Sequence, residues 1–340
     1  MSVDLWTSAG FVEEARAWVT RSLAPRGIAL TGDWEQPHAR SWSSAIRFET
    51  TDGRVWFKVN GEGTRHEPAL VRLLGGTVPG LSPEVLATDD CRGWSLSRDG
   101  GPILRTLAGP DRLWRQWETV VAWYAKAQIE LAGHRDAVLG TGLREVSPAT
   151  TPALARRLRD ELGGLPPAKG GLTAEQQAAV NGRLPELDAW CAELAACGVP
   201  DSVQHDDLHS ANVCWTPGAG ADAATLHVID WGDASWGSPL GTMLATMNSI
   251  AFHAGVLREG GPIDDPRVLR VRDAYLEPFT AYADRTVLVR CVDLARRTGC
   301  IAKALSYEAA LRAEPVRTHE EMEFPVREWF LGILEEFATG

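Results

Sequence analysis

Residues 204–215, QHDDLHSANVCW, hold two histidines, His205 and His209, two adjacent carboxylates, Asp206 and Asp207, and Asn212 between apolar runs. Side chains of these types in so short a stretch suit three purposes: a metal cage, a loop that handles phosphate, or an ordinary polar turn. The residues that follow help to separate them.

Asn212 stands five positions after Asp207, and the apolar run LHVI then leads into Asp230-Trp231-Gly232. A histidine and aspartate, then an asparagine, then D-x-G after a strand is the order used by protein-kinase-like catalytic cores. The chemistry explains the residue types. A phosphoryl group in transfer carries negative charge on three oxygens, so two oxygen ligands hold magnesium against the phosphates while a carboxylate accepts the proton of the attacking hydroxyl. The segments HDDLHSANV and HVIDWGDASWGSP resemble the catalytic region of the aminoglycoside phosphotransferase and choline kinase families, whose usual pattern is HGDxxxxN followed by IDWxD. The resemblance is specific over 203–240 and looser over the first hundred residues. It implies Asp207 as catalytic base, Asn212 and Asp230 as magnesium ligands, and His205 as the structural histidine of the loop. Gly232 matches the D-x-G glycine, and Asp233 matches a further acidic residue with a supporting role. Asp206 departs from the pattern by standing where glycine is usual; a second carboxylate there would raise the pKa of the base or orient an acceptor amine.

A transition-metal site built on His205 and His209 is the competing use of the same stretch. On a strand and turn, however, a four-residue gap does not bring two imidazoles to one face as a helix would. A metal-dependent hydrolase and a nucleotide-binding pseudokinase scaffold are the two alternative functions.

The kinase reading requires a lysine on the third strand and a glutamate on the next helix. VWFKV sets Lys58 on the face opposite Val55, Phe57 and Val59, where it would bridge the α and β phosphates of ATP. In TRHEPALVRLL, Glu67 shares a helix face with Leu70 and Leu74 and is free to pair with Lys58. The alternative makes Thr64 and Glu67 a capping box, but a start nearer His66 places Pro68 in the first turn, where it is tolerated. No G-x-x-x-x-G-K-[ST] is present. HARSWSSA, 38–45, is the candidate phosphate-covering loop, with Ser43 and Ser44 as donors beside Ser41. Main-chain groups near 97–100 are expected to meet the adenine.

The elements that must position these groups follow from periodicity. A helix over 11–23 precedes strands at 28–34, 43–50 and 55–59, the last two joined by TDGR. A helix over 66–74, stopped by Gly75-Gly76, and strands at 83–89 and 93–99 complete the first third. Helices follow over 111–131, 153–162 and 174–197, the last opened by a Thr173/Gln176 capping box. The segments 203–214 and 226–230 read as strands flanking a turn at 217–221. Residues 240–340 return to helix, broken at Pro266, Pro315 and Pro325. The expectation is an α+β, bilobal, protein-kinase-like fold: an antiparallel sheet lobe with one helix over 1–98, and a larger, mainly helical lobe over 99–340 carrying the catalytic loop and acceptor site.

The 340-residue chain carries a net charge of −11, which argues against an electrostatic grip on nucleic acid or anionic membrane and leaves room for a cationic acceptor. Glu308, Glu314, Glu320, Glu321 and Glu323 are the candidates to receive amino groups, and Trp236 to stack on a sugar ring. Six cysteines form no CxxC pair, and no basic-then-apolar leader or long apolar run is present, so a cytoplasmic location is expected. The expected activity is transfer of the ATP γ-phosphate, with Mg2+, to a hydroxyl of an aminoglycoside, amino sugar or related metabolite or antibiotic.

Overall fold

The computed structural model describes residues 3–107, 110–218, 224–257, 263–312 and 322–335. The chain divides into two units. One comprises Met1–Pro102, Cys214–Gly232 and Ala309–Pro315, and the other Ile103–Val213, Asp233–Glu308 and Val316–Gly340.

The first unit opens with helices α1 (Val3–Thr7) and α2 (Ala9–Leu23), the latter capped by the Ser8 hydroxyl accepting from Phe11 N. Strands β1 (Leu30–Ala39), β2 (Ser43–Thr50) and β3 (Gly53–Asn60), helix α3 (Glu67–Thr77), and strands β4 (Val85–Asp89) and β5 (Trp94–Arg98) follow. The strands form one antiparallel sheet in the order β1-β2-β3-β5-β4. Alternation along β3 puts Val55, Phe57 and Val59 into an apolar cluster with Phe11, Trp18 and Trp94, and turns Lys58 to the other face. Within that cluster the Phe57 and Trp94 rings meet edge to face at 5.1 Å.

The helix expected to stop at Gly75-Gly76 continues through both glycines to Thr77. Glycine weakens a helix interior by only about 1 kcal/mol, and the effective stop is Val78, whose backbone leaves the helical region (φ −123°, ψ 84°) before the proline that follows it. Its start lacks a side-chain cap. The Thr64 hydroxyl donates to Trp42 O instead, so no capping box forms and Glu67 is left for other partners.

In the second unit come α4 (Leu104–Leu107), α5 (Pro110–Leu131), α6 (Arg135–Leu139), β6 (Arg144–Val146), α7 (Thr151–Gly163), α8 (Ala174–Ala196) and β7 (Ser202–Gln204). Both bonds of the Thr173/Gln176 capping box form at the start of α8. The chain then enters the first unit as a hairpin, β8 (Val213–Thr216) and β9 (Thr225–Val228). It returns with β10 (Ser235–Gly237), α9 (Thr242–His253), α10 (Pro266–Leu276), α11 (Arg285–Ala310) and α12 (Pro325–Leu331). Pro266 and Pro325 open α10 and α12 rather than merely interrupting helix, while Pro315 lies outside the described residues.

The segment 203–214 is not one strand. β7 ends at Gln204 and pairs with β10, which also pairs with β6, in a sheet of order β6-β10-β7. Residues 205–212 are therefore a loop between strands of two different sheets. The turn expected at 217–221 falls largely outside the described residues. Among the described residues no helix is long and apolar enough to cross a membrane.

Candidate active site

In the first unit Lys58 of β3 and Glu67 of α3 meet Asp230, 172 positions after the lysine. Lys58 Nζ donates to Glu67 Oε1 at 2.8 Å, lies 2.6 Å from Oε2, and donates to Asp230 Oδ1 at 2.5 Å. Glu67 is almost wholly buried and also accepts from Trp231 N at 3.0 Å, so one carboxylate fixes both the lysine and the turn after Asp230. The Asp230 side chain is 54% exposed. Burial alone would lower the Lys58 pKa, but Asp230 and Glu67 more than offset it and hold the ammonium above its ordinary value. Burial pushes the Glu67 carboxyl up, against the pull of Lys58.

The β9 strand that delivers Asp230 is anchored by Val228 N donating to Leu81 O, and the Trp231 indole donates to Val228 O. Asp230 itself has φ +65°, in the left-handed region. At Gly232 a Cβ would lie 3.3 Å from Glu67 Oε2 and from Thr64 Cγ2, so a side chain there would press on the partner of Lys58.

Ser43 and Ser44 do not lie in a phosphate-covering loop. Both are buried in β2, and the Ser44 hydroxyl donates to His38 O at 2.8 Å and accepts from Gln36 Nε2. Residues 40–42 make the turn instead, which leaves Ser41 as its serine.

In the second unit the loop 205–212 is fixed by short bonds. His205 Nδ1 accepts from Asp207 N, the Thr246 hydroxyl of α9 donates to Leu208 O, and Ser210 O accepts from Arg105 N. The side-chain amide of buried Gln128 in α5 donates to Val203 O and the Gln128 main-chain oxygen accepts from the Ser202 hydroxyl, which holds β7 beneath the loop. His209 Nδ1 accepts from Ala211 N, so the ring proton sits on Nε2 and is donated toward Asp207 Oδ2 at 3.2 Å.

Asp207 receives the most support. Besides His209, its Oδ1 accepts from Lys303 Nζ of α11 at 3.1 Å, and Asn212 Nδ2 donates to its main-chain oxygen at 3.0 Å. Burial would raise its pKa, yet Lys303 and His209 outweigh burial and keep the carboxyl well below the usual carboxylate range. It therefore stays ionised at neutral pH, as an acceptor for a proton or hydroxyl must.

Asp206 does neither thing expected of it. Its carboxylate is buried, accepting from Gln204 Nε2 and from the Ser235 hydroxyl of β10, so it faces no acceptor amine and does not lift Asp207. Burial pushes its own carboxyl up to about 7, against the Ser235 bond. Its φ of +62° explains why glycine is usual in the resembled pattern; aspartate tolerates that region better than most side chains.

Asp233 lies 3.6 Å from Lys303 and accepts from the Ser306 hydroxyl. Glu308 is gripped by both terminal nitrogens of Arg157, at 2.8 and 3.0 Å, and Trp236 is buried in β10 without a face for a sugar. Glu323 is exposed, while Glu314, Glu320 and Glu321 lie outside the described residues. Lys303 and Gln128 were not singled out by motif reasoning. The available signal for Lys303 was a lone charge inside the run CIAKALS, whose residues are all buried and where an ammonium must have partners.

No group of three or more His, Cys, Asp or Glu side chains among the described residues is arranged to hold a metal, so the histidine cage does not form there. Taken separately, Asn212 and Asp230 each carry a hard oxygen of the kind magnesium takes, and because the Asn212 amide nitrogen donates to Asp207 O, an oxygen is what its side chain would offer a metal.

A family model described as "Phosphotransferase enzyme family" matches residues 23–271. The chain belongs to that family. It is a small-molecule O-phosphotransferase. No curated protein sequence matches this phosphotransferase. Among solved structures it is similar to the choline kinase LicA from Streptococcus pneumoniae, with TM-score 0.60, 12% identity, and coverage of 93% of this chain and 98% of that one. A choline/ethanolamine kinase family protein from Mesorhizobium loti gives TM-score 0.53 and 16% identity over 95% and 99%. The macrolide 2'-phosphotransferase MphH from Brachybacterium faecium gives 0.54 and 16% over the same shares. At these identities the likeness establishes for the phosphotransferase the α+β, protein-kinase-like fold.

Proposed function

We propose that this phosphotransferase moves the γ-phosphoryl group of ATP to a hydroxyl of a small metabolite or antibiotic, with aminoglycosides and amino sugars the first acceptors to assay. The observation that carries the reading is Lys58 bonded at once to Glu67 and Asp230, the lysine and glutamate that the kinase reading requires together with the aspartate of its D-x-G. Lys58 would hold the nucleotide phosphates, oriented by Glu67. Asn212 with Asp230 would hold magnesium, which supplies charge neutralisation on the phosphates when bound. Asp207, kept ionised by Lys303 and oriented by His209, would accept the proton of the attacking hydroxyl.

The test separates binding from transfer. Calorimetry with Mg·ATP and acceptor-stimulated ADP release should show that Asp230→Ala loses metal-dependent nucleotide binding, while Asp207→Asn keeps binding and loses transfer. Full turnover and unchanged ATP affinity in both variants would refute the assignment.

A further inference from the structure

Gln204 ends β7 with its side-chain amide between two neighbours. On one side Nε2 donates to Asp206 Oδ1 and lies 3.5 Å from Ser235 Oγ. On the other, Oε1 is buried and meets no donor among the described residues. A buried acceptor left so is costly, and nearly all find a protein or water partner.

Gln204 and Gly241, the residue that lies against Oε1, both line a cavity of about 20 Å³ inside the second unit. Ser238 and, from α11, Ala295, Thr298 and Ala302 contribute to the same wall. A Cβ at Gly241 would overlap Oε1, so glycine there gives the amide its room and offers only a weak Cα–H in return. The volume suits a single water, which needs about 10–15 Å³ and two to four polar partners. Besides Gln204, the Thr298 hydroxyl donates to Ala295 O at 3.4 Å and keeps lone pairs with which to accept, and Ser238 carries a second hydroxyl. Turning the Gln204 amide over would set Nε2 against Gly241 instead, and a water would then accept where it otherwise donates.

We infer that this cavity binds one water molecule, which completes the hydrogen bonding of the Gln204 amide and supports the catalytic loop from beneath. Donation to Oε1 strengthens the amide N–H that holds Asp206. Asp206 leads directly into Asp207, and across the cavity Ala302 precedes Lys303, which bonds Asp207 Oδ1. The water thus lies between the two anchors of Asp207. Its importance for the loop rests on the phosphotransfer reading, whereas its presence does not.

The first measurement is a crystal structure of the wild-type protein at a resolution that orders interior solvent. It should show one water within hydrogen-bonding distance of the Gln204 amide and of a Thr298 or Ser238 hydroxyl; a dry or collapsed cavity overturns the inference. The second compares Ala295→Ser with Ala295→Cys. Each adds one heavy atom to the cavity wall, but a hydroxyl is a strong donor and acceptor and a thiol is weak at both. Either displaces the water and only serine replaces its bond, so Ala295→Ser should melt close to wild type and Ala295→Cys a few degrees lower. In a dry cavity the order reverses, because the thiol packs as a small apolar group while the hydroxyl is buried unmet. Ala295→Ser melting at or below Ala295→Cys therefore overturns the inference, and if neither variant folds the wild-type crystal structure decides it. The third is acceptor-stimulated ADP release well below the melting range. Ala295→Cys should lose turnover severalfold at unchanged Mg·ATP affinity, and Ala295→Ser should retain it; full turnover in Ala295→Cys overturns the role in the loop. A wild type without turnover on any acceptor counts against the phosphotransfer reading instead, and the crystal structure and melting comparison still decide the water.

Discussion

Glu67→Gln removes one charge from the Lys58 cluster and almost nothing else. The amide keeps an oxygen to accept from Trp231 N, the bond that Glu67 Oε1 makes at 3.0 Å. What disappears is the carboxylate 2.6 Å from Lys58 Nζ. Breaking a buried pair by removing one partner costs about 3–5 kcal/mol. Asp230 remains at 2.5 Å as a second counter-charge, which sets the expectation at the lower end, about 3 kcal/mol. Glu67→Ala should lose about 1–3 kcal/mol more, because the bond from Trp231 N to the Glu67 side chain is lost in a buried setting. Function should respond in a particular direction. With Glu67 neutral, Lys58 is bound more firmly to Asp230 and competes with magnesium for that carboxylate. The Mg2+ concentration needed for half-maximal ATP binding should therefore rise by about tenfold or more, a change of at least about 1.4 kcal/mol. Urea unfolding and calorimetric ATP titrations at several Mg2+ concentrations measure the two effects separately. A Glu67→Gln protein with wild-type stability and an unchanged Mg2+ requirement would show that the ion pair does not organise the cluster.

Three further outcomes follow from the geometry. Asp206, with an ordinary value of 3.8, is raised to about 7 when folded, so between those values the folded state holds a proton that the unfolded state has released, and stability falls as pH rises through that window. Asp206→Asn should remove that loss, and its stability relative to wild type should grow by up to about 4 kcal/mol from pH 4 to pH 8; parallel denaturation curves across pH would contradict the burial argument. Gly232→Ala places a methyl 3.3 Å from Glu67 Oε2 and should weaken Mg·ATP binding while Asp207-side acceptor contacts are untouched, as acceptor KM against ATP KM would reveal. Thr173→Ala breaks the capping box of α8 and should lower unfolding stability by about 1 kcal/mol with nucleotide affinity unchanged, which makes it the control for stability effects on binding.

The residues legible in sequence are those whose neighbours carry the signal. Lys58 and Glu67 were visible because β3 alternates and α3 has a clean apolar stripe, so a face could be assigned to each without knowing what it met. Asp207, Asn212 and Asp230 were visible through their spacing. The sheet of β6, β10 and β7 was not, because each strand has three residues, and register between Arg144, Gln204 and Ser235 joins positions 31 to 91 apart in sequence. Ser43 and Ser44 misled because composition marks a serine-rich turn but not where it ends, and pairing with Asn60 and Val59 pulls both into β2. Lys303 is separated from Asp207 by 96 residues, and helical periodicity treats a charge in an apolar run as an exception rather than as a partner for a distant carboxylate.

Backbone conformation marks the same places as the side-chain chemistry. Among the described residues, Asp206 and Asp230 are the only non-glycine residues with positive φ. The left-handed region disfavours a residue with a Cβ by about 1–2 kcal/mol, less for aspartate, so each must be held by its surroundings. Asp206 is held by Gln204 and Ser235, which need its carboxylate as their acceptor in a buried setting where an unmet donor costs about 1–3 kcal/mol. Glycine at 206 would relieve the backbone and strand both donors, so the hydrogen bonds outweigh the conformational term. Asp230 is held from two sides, its carboxylate by Lys58 and the next backbone N–H by Glu67, which Lys58 also binds. The strained turn and the ion pair are thus one device: a change at Lys58 or Glu67 alters the backbone that presents Asp230 as well as the charge around it.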